Sequence, residues 1–386
     1  MPDLSYAAQN AVVSGVREMF EKGKRHADSI DLTLGEPGFI TPKHIIDEGV
    51  KYLLEGRTKY TPNAGIKPLR DAIAKKLLAE NGIRCDPDKN LIVTAGATQA
   101  LMLVMVTLVN PGDEVILQTP NWPDYKGQLD MVGAKAVWAK VDEADGFKLT
   151  ADRIEPLITE KTKLIIINSP SNPTGGVLDY EDLEAIAALV KKHKVFIISD
   201  EPYEKFIYDG KKHVSLAAFD GLEDYVITVN SFSKTYAMTG WRVGYICANE
   251  EITKNLIKLH ENMIASINEA FQLAAISALE HGEEDIARMT AAYKKNRDFL
   301  VDNLNAINGF SCTMPGGAFY AFPNITGFGM TSREAANYIF DKTHVVTAPG
   351  DAFGAGGEGY LRICYACSYE NLVEAIDRFV TAFGKK

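Results

Sequence analysis

Long apolar runs are missing from this chain, cysteine is sparse, and basic residues never gather into a block. The longest apolar stretch, residues 100–109, is interrupted by Thr107 and is too short to cross a bilayer. No cationic, apolar-cored leader opens the sequence, so the expected location is the cytoplasm. Over 386 residues the formal net charge is -10, which argues against nucleic acid or an anionic membrane surface as a partner. An anionic ligand therefore needs a local cationic pocket. Five cysteines, Cys85, Cys247, Cys312, Cys364 and Cys367, are scattered and odd in number, as suits a reducing compartment. Cys364 and Cys367 form a C-x-x-C, but no second pair completes a zinc site and no helix follows at once as in a redox motif. They read as structural thiols, and no metal site is expected. The sequon Asn324-Ile325-Thr326 has no meaning without secretion.

What is present is an ordinary core-forming composition, 46% hydrophobic and 24% charged, in a chain long enough for one large α/β unit and a smaller one. Val12, Val13, Val16, Met19 and Phe20 recur at helical spacing in an N-terminal arm. Residues 30–34 read as a strand running into Gly35-Glu36-Pro37-Gly38-Phe39, either a plain turn or a place where a ligand approaches backbone amides. Thr41-Pro42 reads as a helix start, and Tyr60 to Gly65 as a turn ahead of a helix over 67–80. From about residue 90, strand and helix alternate, the signature of a mostly parallel sheet covered on both faces. Strands are predicted over 91–94, 114–118, 163–167, 195–199 and 225–229, with helices over 98–108 and 180–194. One long helix is predicted over 251–279 and another over 286–304. A shorter αβ pattern completes the chain.

Chemistry-bearing residues collect where these strands end. Ala95-Gly96-Ala97-Thr98 is a Gly turn between strand and helix, which aims free N–H groups at any anion placed there. Trp122 lies in a proline-rich loop with Tyr125, two aromatics that look exposed; an indole there either stacks on a flat ring or plugs the loop onto the core. Asn172 sits between Pro170 and Pro173, which stiffen its loop. Asp200 lies just past a strand's carboxyl end, in the crevice where open α/β sheets bind ligands; it is a helix cap, an ion-pair partner or a site residue. In the stretch 229–245, Lys234 is accompanied by apolar Phe232, Tyr236 and Trp241, so its ammonium should lose hydration and its pKa should fall, as a Schiff-base lysine requires. Ser231, Ser233 and Arg242 supply hydroxyls and a guanidinium fork suited to a doubly charged phosphate. Phosphate donors around an activatable lysine suggest pyridoxal phosphate. Gly354-Ala355-Gly356-Gly357-Glu358-Gly359 matches the dinucleotide fingerprint formally, but a strand, not an apolar helix, is predicted to follow it, so nicotinamide binding is rejected.

Ser231-Phe232-Ser233-Lys234, Gly240-Trp241-Arg242-Val243-Gly244, Asn168 through Gly175 and Asp200-Glu201-Pro202-Tyr203 together resemble the class I, fold-type I PLP-dependent aminotransferases, in the family's order and over nearly the whole chain. The nearest likeness is to the bacterial aspartate-type and broad-specificity subgroup. The resemblance implies that Lys234 holds pyridoxal 5'-phosphate as an internal aldimine and later moves the proton at the substrate α-carbon. It implies that Asp200 keeps the pyridine nitrogen protonated, that Tyr203 and Asn172 bond the phenolic oxygen, and that Trp122 stacks on the ring. Gly96, Ala97, Thr98, Ser231, Ser233 and Arg242 would hold the phosphate. Arg362 matches the arginine that clamps the substrate α-carboxylate, assisted by Gly35 and Asn172, and Tyr60 matches a tyrosine that reaches the phosphate of the neighbouring subunit in a homodimer. Two positions depart from the pattern, Pro202 for an aliphatic residue and Ser171 for a common asparagine. No arginine is identifiable for a substrate side-chain carboxylate.

The expectation is thus an α/β fold of fold-type I, with residues 1–40 an arm joined to a small domain, 41–280 the large cofactor domain and 281–386 the rest of the small domain. The expected reaction moves an amino group from an L-amino acid, aspartate or aromatic or other, to a 2-oxo acid such as 2-oxoglutarate. Two other readings stand beside it, a C–S β-lyase on the same fold and a non-catalytic PLP-binding regulatory module. The second would carry a DNA-binding extension, of which the sequence has no basic trace.

Overall fold

The buried β-branched runs form strands and the amphipathic stretches between them form helices, in a computed structural model that describes residues 4–10 and 15–386. After a two-residue strand β1 (Ile30–Asp31), a central sheet is built from β2 (Leu91–Thr94), β3 (Glu114–Thr119), β4 (Lys135–Lys140), β5 (Thr162–Asn168), β6 (Phe196–Asp200), β7 (Val226–Ser231) and β8 (Gly244–Cys247). Its spatial order is β2-β8-β7-β6-β5-β3-β4, with β8 antiparallel to both neighbours and every other pairing parallel. The continuous apolar run of β5 follows from burial on both faces. Ile165 and Ile167 pack with Leu183, Ile186 and Val190 of helix Tyr180–His193, whereas Leu164 and Ile166 face Ala100, Leu101 and Val104 of helix Gly96–Leu108. Asn168, Asp200 and Val229 stand in register, so three carboxyl ends open onto one crevice.

The C-terminal part adds β9 (Tyr320–Ala321), β10 (Val345–Val346), β11 (Ala348–Pro349) and β12 (Leu361–Cys364). Strand β12 lies between β11 and β9, antiparallel to both, and β1 pairs in parallel with β10. Met19, Ile30 and Leu32 from the N-terminal segment share a core with Phe310, Phe340, Leu372 and Phe379. Of the predicted arm helix, Val12 and Val13 lie outside the described residues. Met19 is buried on helix Gly15–Gly23.

Two departures from the sequence reading have plain causes. Strand β4, Lys-Ala-Val-Trp-Ala-Lys, is an edge strand with lysines at both ends; its mixed exposure hides it from a search for buried runs, and the charges blunt a free edge. The single helix expected over 251–279 is two, Glu250–Ile264 and Glu269–His281. Ala265 adopts φ 61, and the Asn268 side chain caps the second helix by accepting from Phe271 N at 3.1 Å. The Gly354 to Gly359 segment forms a short 3-10 turn leading into β12.

Candidate active site

Strand β7 ends at Ser231, whose Oγ accepts from the Ser233 N–H at 3.1 Å and starts a one-turn helix, Phe232–Thr235. That turn swings Lys234 into a cavity of about 250 Å³. Its Nζ donates to the Gly35 carbonyl at 2.5 Å. Burial pulls the Lys234 amine down to about 8; Cys364 and Glu36 oppose the shift, and Arg362 and Arg242 add to it. The expected fall is present, but the neighbours responsible differ. Phe232 and Tyr236 turn into the core beneath the sheet, and Trp241 donates to Thr41 Oγ1 at 3.1 Å. Lys234 instead shares its cavity with Gly35, Tyr203, Tyr320 and Arg362.

Anion-binding groups gather at one end. Ala97 and Thr98, in the first turn of helix Gly96–Leu108, line the cavity with Ser231, Ser233 and Arg242. Arg242, itself at φ 58, donates through Nη1 to Thr239 O at 2.8 Å and through Nη2 to Ala95 O at 3.2 Å, which leaves the fork resting on the helix start. Gly96 lies behind this wall. Its φ is 76°, and a Cβ there would come within 2.5 Å of Arg242 Nη2, so only glycine lets the guanidinium sit so close. Free N–H groups, a helix dipole, two hydroxyls and a guanidinium converge on a space with no acid among its described walls except Asp124 and Asp200.

Asp200 and Arg362 define the rest. Asp200 is 3% exposed; its Oδ2 accepts from the Tyr125 hydroxyl at 2.5 Å, and its Oδ1 has no hydrogen-bond partner among the described residues. Burial lifts its carboxyl to about 7, against the Tyr125 hydrogen bond and with help from Glu201. The Tyr203 and Tyr320 hydroxyls lie 2.8 Å apart, and burial pushes both phenols above their ordinary range. Arg362, on β12, is 4% exposed, with its guanidinium between the rings of Tyr320 (4.6 Å) and Phe353 (4.7 Å). It donates to Asn172 Oδ1 at 2.9 Å and Thr33 O at 2.5 Å, and its Nε has no partner among the described residues. Asn172 is steadied by its own N–H, which donates to Asn168 Oδ1 at 2.8 Å. A Cβ on Gly35 would collide with the Tyr320 hydroxyl.

Residues 27–379 match the family described as aminotransferase class I and II. The chain belongs to that family. It is 41% identical over 375 residues to an aspartate aminotransferase of Pyrococcus abyssi, covering 97% of this chain and 96% of that one. The aromatic aminotransferase of Pyrococcus horikoshii OT3 superposes with a TM-score of 0.89 at 40% identity, over 94% of this chain and 97% of the other. The aspartate aminotransferase of Thermus thermophilus with maleate does so with a TM-score of 0.93 at 34% identity, over 99% and 100%. This aminotransferase is therefore a fold-type I enzyme that moves an amino group between amino and 2-oxo acids, and members of its family use pyridoxal phosphate. No helix among its described residues is long and apolar enough to cross a membrane.

The cavity of the aminotransferase collects Gly35, Ala97, Thr98, Trp122, Asn172, Asp200, Tyr203, Ser231, Ser233, Lys234, Arg242 and Arg362, all singled out from sequence. Tyr60 is not among its walls and is 89% exposed. Three contributors escaped the sequence reading. Tyr125, expected to be exposed, is 2% exposed and bonds Asp200. Tyr320 and Phe353 grip Arg362. Only the Gly-Gly-Ala-Phe-Tyr run at 316–320 hinted at a ring packed against a turn.

Proposed function

We propose that this aminotransferase carries pyridoxal phosphate on Lys234 and uses it to pass the amino group of an L-amino acid, aspartate or aromatic or other, to a 2-oxo acid, 2-oxoglutarate being the expected acceptor. The bound cofactor supplies an electron sink that makes the substrate's α-proton removable. The observation that carries the reading is the unpaired, buried Asp200 Oδ1, which shares a cavity with an amine lowered to about 8 and an anion cradle. A buried carboxylate oxygen without a donor is costly, and a ring N–H⁺ satisfies both its charge and its lone pair.

Each residue then has a role that its chemistry suits. Ala97, Thr98, Ser231, Ser233 and Arg242, on the turn that Gly96 permits, hold the phosphate. Asp200, braced by Tyr125, keeps the ring nitrogen protonated. Tyr203 and Asn172 bond the phenolic oxygen, and Trp122 covers the ring. Arg362, assisted by Gly35 and Asn172, holds the substrate carboxylate, and the Tyr320 and Phe353 rings exclude water behind it. Lys234 Nζ would take the proton from the substrate α-carbon and deliver it to the cofactor's C4′, which an amine near 8 does at neutral pH better than an ordinary lysine. The enzyme works as a homodimer, with the exposed Tyr60 reaching the partner's phosphate site, in the cytoplasm. The division at residues 40 and 280 separates its two domains.

Lys234→Ala should abolish the pH-dependent visible absorbance of the reconstituted enzyme while leaving the protein folded; an unchanged band would remove Lys234 from the role. Turnover should require an added oxo acid. Ammonia released without one would mark the lyase reaction instead.

A further inference from the structure

We propose that His26, Asp28 and His344 form a binding site for a borderline divalent cation, zinc foremost, at the seam between the N-terminal segment and helix Ser332–Thr343. One ligand atom from each of the three lies within 4.8 Å of the others. His344 Nδ1 and Asp28 Oδ2 are 2.7 Å apart, and the two imidazole centroids are separated by 5.0 Å. Two imidazoles and a carboxylate match the donor set of zinc sites that keep a fourth position for water, and they also suit nickel and copper; calcium and magnesium prefer oxygen alone. Tetrahedral zinc with bonds of about 2.0–2.1 Å sets its ligands roughly 3.3 Å apart. Reaching that spacing asks the His344–Asp28 pair to open and His26 to close in, which side chains at the surface do by rotamer adjustment.

The backbone under these side chains is already held. His26 N donates to Gly23 O at 2.9 Å, Ile30 N donates to His344 O at 2.9 Å, and Arg378 Nη1 joins Asp28 O to Thr343 O at 2.9 and 3.1 Å. Phe340 backs both imidazoles, at 5.1 Å from His26 and 5.8 Å from His344, and limits their swing. Arg378 also pairs with Glu374 at 2.9 Å. A second cluster of metal-binding type, Glu201, Glu204 and His213, makes the contrast. It is buried, but Lys76 sits on Glu204, and Ser199, Ser215 and Asn81 occupy the remaining carboxylate oxygens. Its two acids are balanced by a lysine and an imidazole, and a cation there would have to displace an ammonium.

Zinc bound at the seam would rivet two stretches of chain that are otherwise joined there by β1 and β10. The N-terminal stretch also carries helix Gly15–Gly23, whose Val16 lines the active-site cavity.

The test uses the cofactor-loaded enzyme, freed of metal with a chelator and titrated with zinc chloride. One equivalent per chain should bind, and Tm should rise with free zinc. The double variant His26→Gln, His344→Asn should bind at least about tenfold more weakly, since even loss of an outer-shell partner costs ~10–100-fold. Asparagine is chosen because His344 has φ 54, which asparagine tolerates. If that variant does not fold, His26→Gln alone serves, its side chain being exposed. Copper(II) in place of zinc should show hyperfine coupling to two imidazole nitrogens. Absence of any Tm rise, equal zinc binding by wild type and variant, or a copper spectrum without nitrogen coupling would overturn the site.

Discussion

A carboxyl group 3% exposed with one oxygen unpaired burdens the fold until a positive partner arrives, and Asp200 makes that burden measurable. Its proton is held up to about 7 in the cofactor-free fold, against an ordinary 3.8. The folded state therefore binds more protons than the unfolded chain between those values, and stability falls as pH rises through that window. Asp200→Asn should remove the fall, leaving the cofactor-free variant more stable than wild type at pH 8 by up to a few kcal/mol. The same change should cut turnover of the loaded enzyme by about 10²–10³-fold. Thermal melts of both forms from pH 4 to 8, with single-substrate kinetics, check it. Lys234 and Asp200 stood out in the sequence beside strand ends, but their roles, and Arg362 altogether, came from the resemblance of the motifs around them. Tyr125, Tyr320 and Phe353 did not stand out, because an aromatic that braces a charge is written the same way as one that fills a core.

At the scale of elements, the turn that starts helix Gly96–Leu108 depends on a missing side chain. Gly96→Ala forces a Cβ toward Arg242 and asks alanine to hold φ 76. We expect phosphate-bearing cofactor to bind at least about tenfold more weakly, with a loss of about 1–2 kcal/mol in stability from the strained backbone. Equilibrium dialysis and denaturant melts measure the two effects separately. Buried elements declared themselves by pattern, as β5 did. Those that failed did so for local reasons: β4 is exposed on an edge, and the break at Ala265 rests on a cap that a continuous apolar periodicity conceals. The helix over 180–194 was readable from the acids in its first turn and from Lys191, Lys192 and His193 in its last, and the structure adds a capping box between Asp179 and Asp182.

For the whole molecule, the open question is how many chains make one site. Tyr60, 89% exposed and absent from the cavity's walls, is the residue through which the proposed homodimer would complete a neighbouring site. Mixing Lys234→Ala chains with Tyr60→Ala chains provides the check. If Tyr60 serves the neighbour, a mixed dimer holds one fully native site, and activity should rise well above either parent after subunit exchange. If Tyr60 serves its own chain, every site in the mixture remains damaged and no rise occurs. The alternation of strands and helices announced the large sheet. The packing of residues around 30 with those around 340 leaves no periodic trace; the sequence reading reached it only by assigning the N-terminal arm to the small domain.

That distant packing bears on how the protein is made. Arg362 rests on the carbonyl of Thr33 and the amide of Asn172, partners 329 and 190 positions away along the chain. The residues of the anion-binding end are all in the chain by residue 242, whereas Arg362 meets its partners only when the last stretch of the sequence closes back on the first. A chain that stops short of residue 362 therefore lacks the guanidinium that ties Thr33 to Asn172, however complete its anion-binding end.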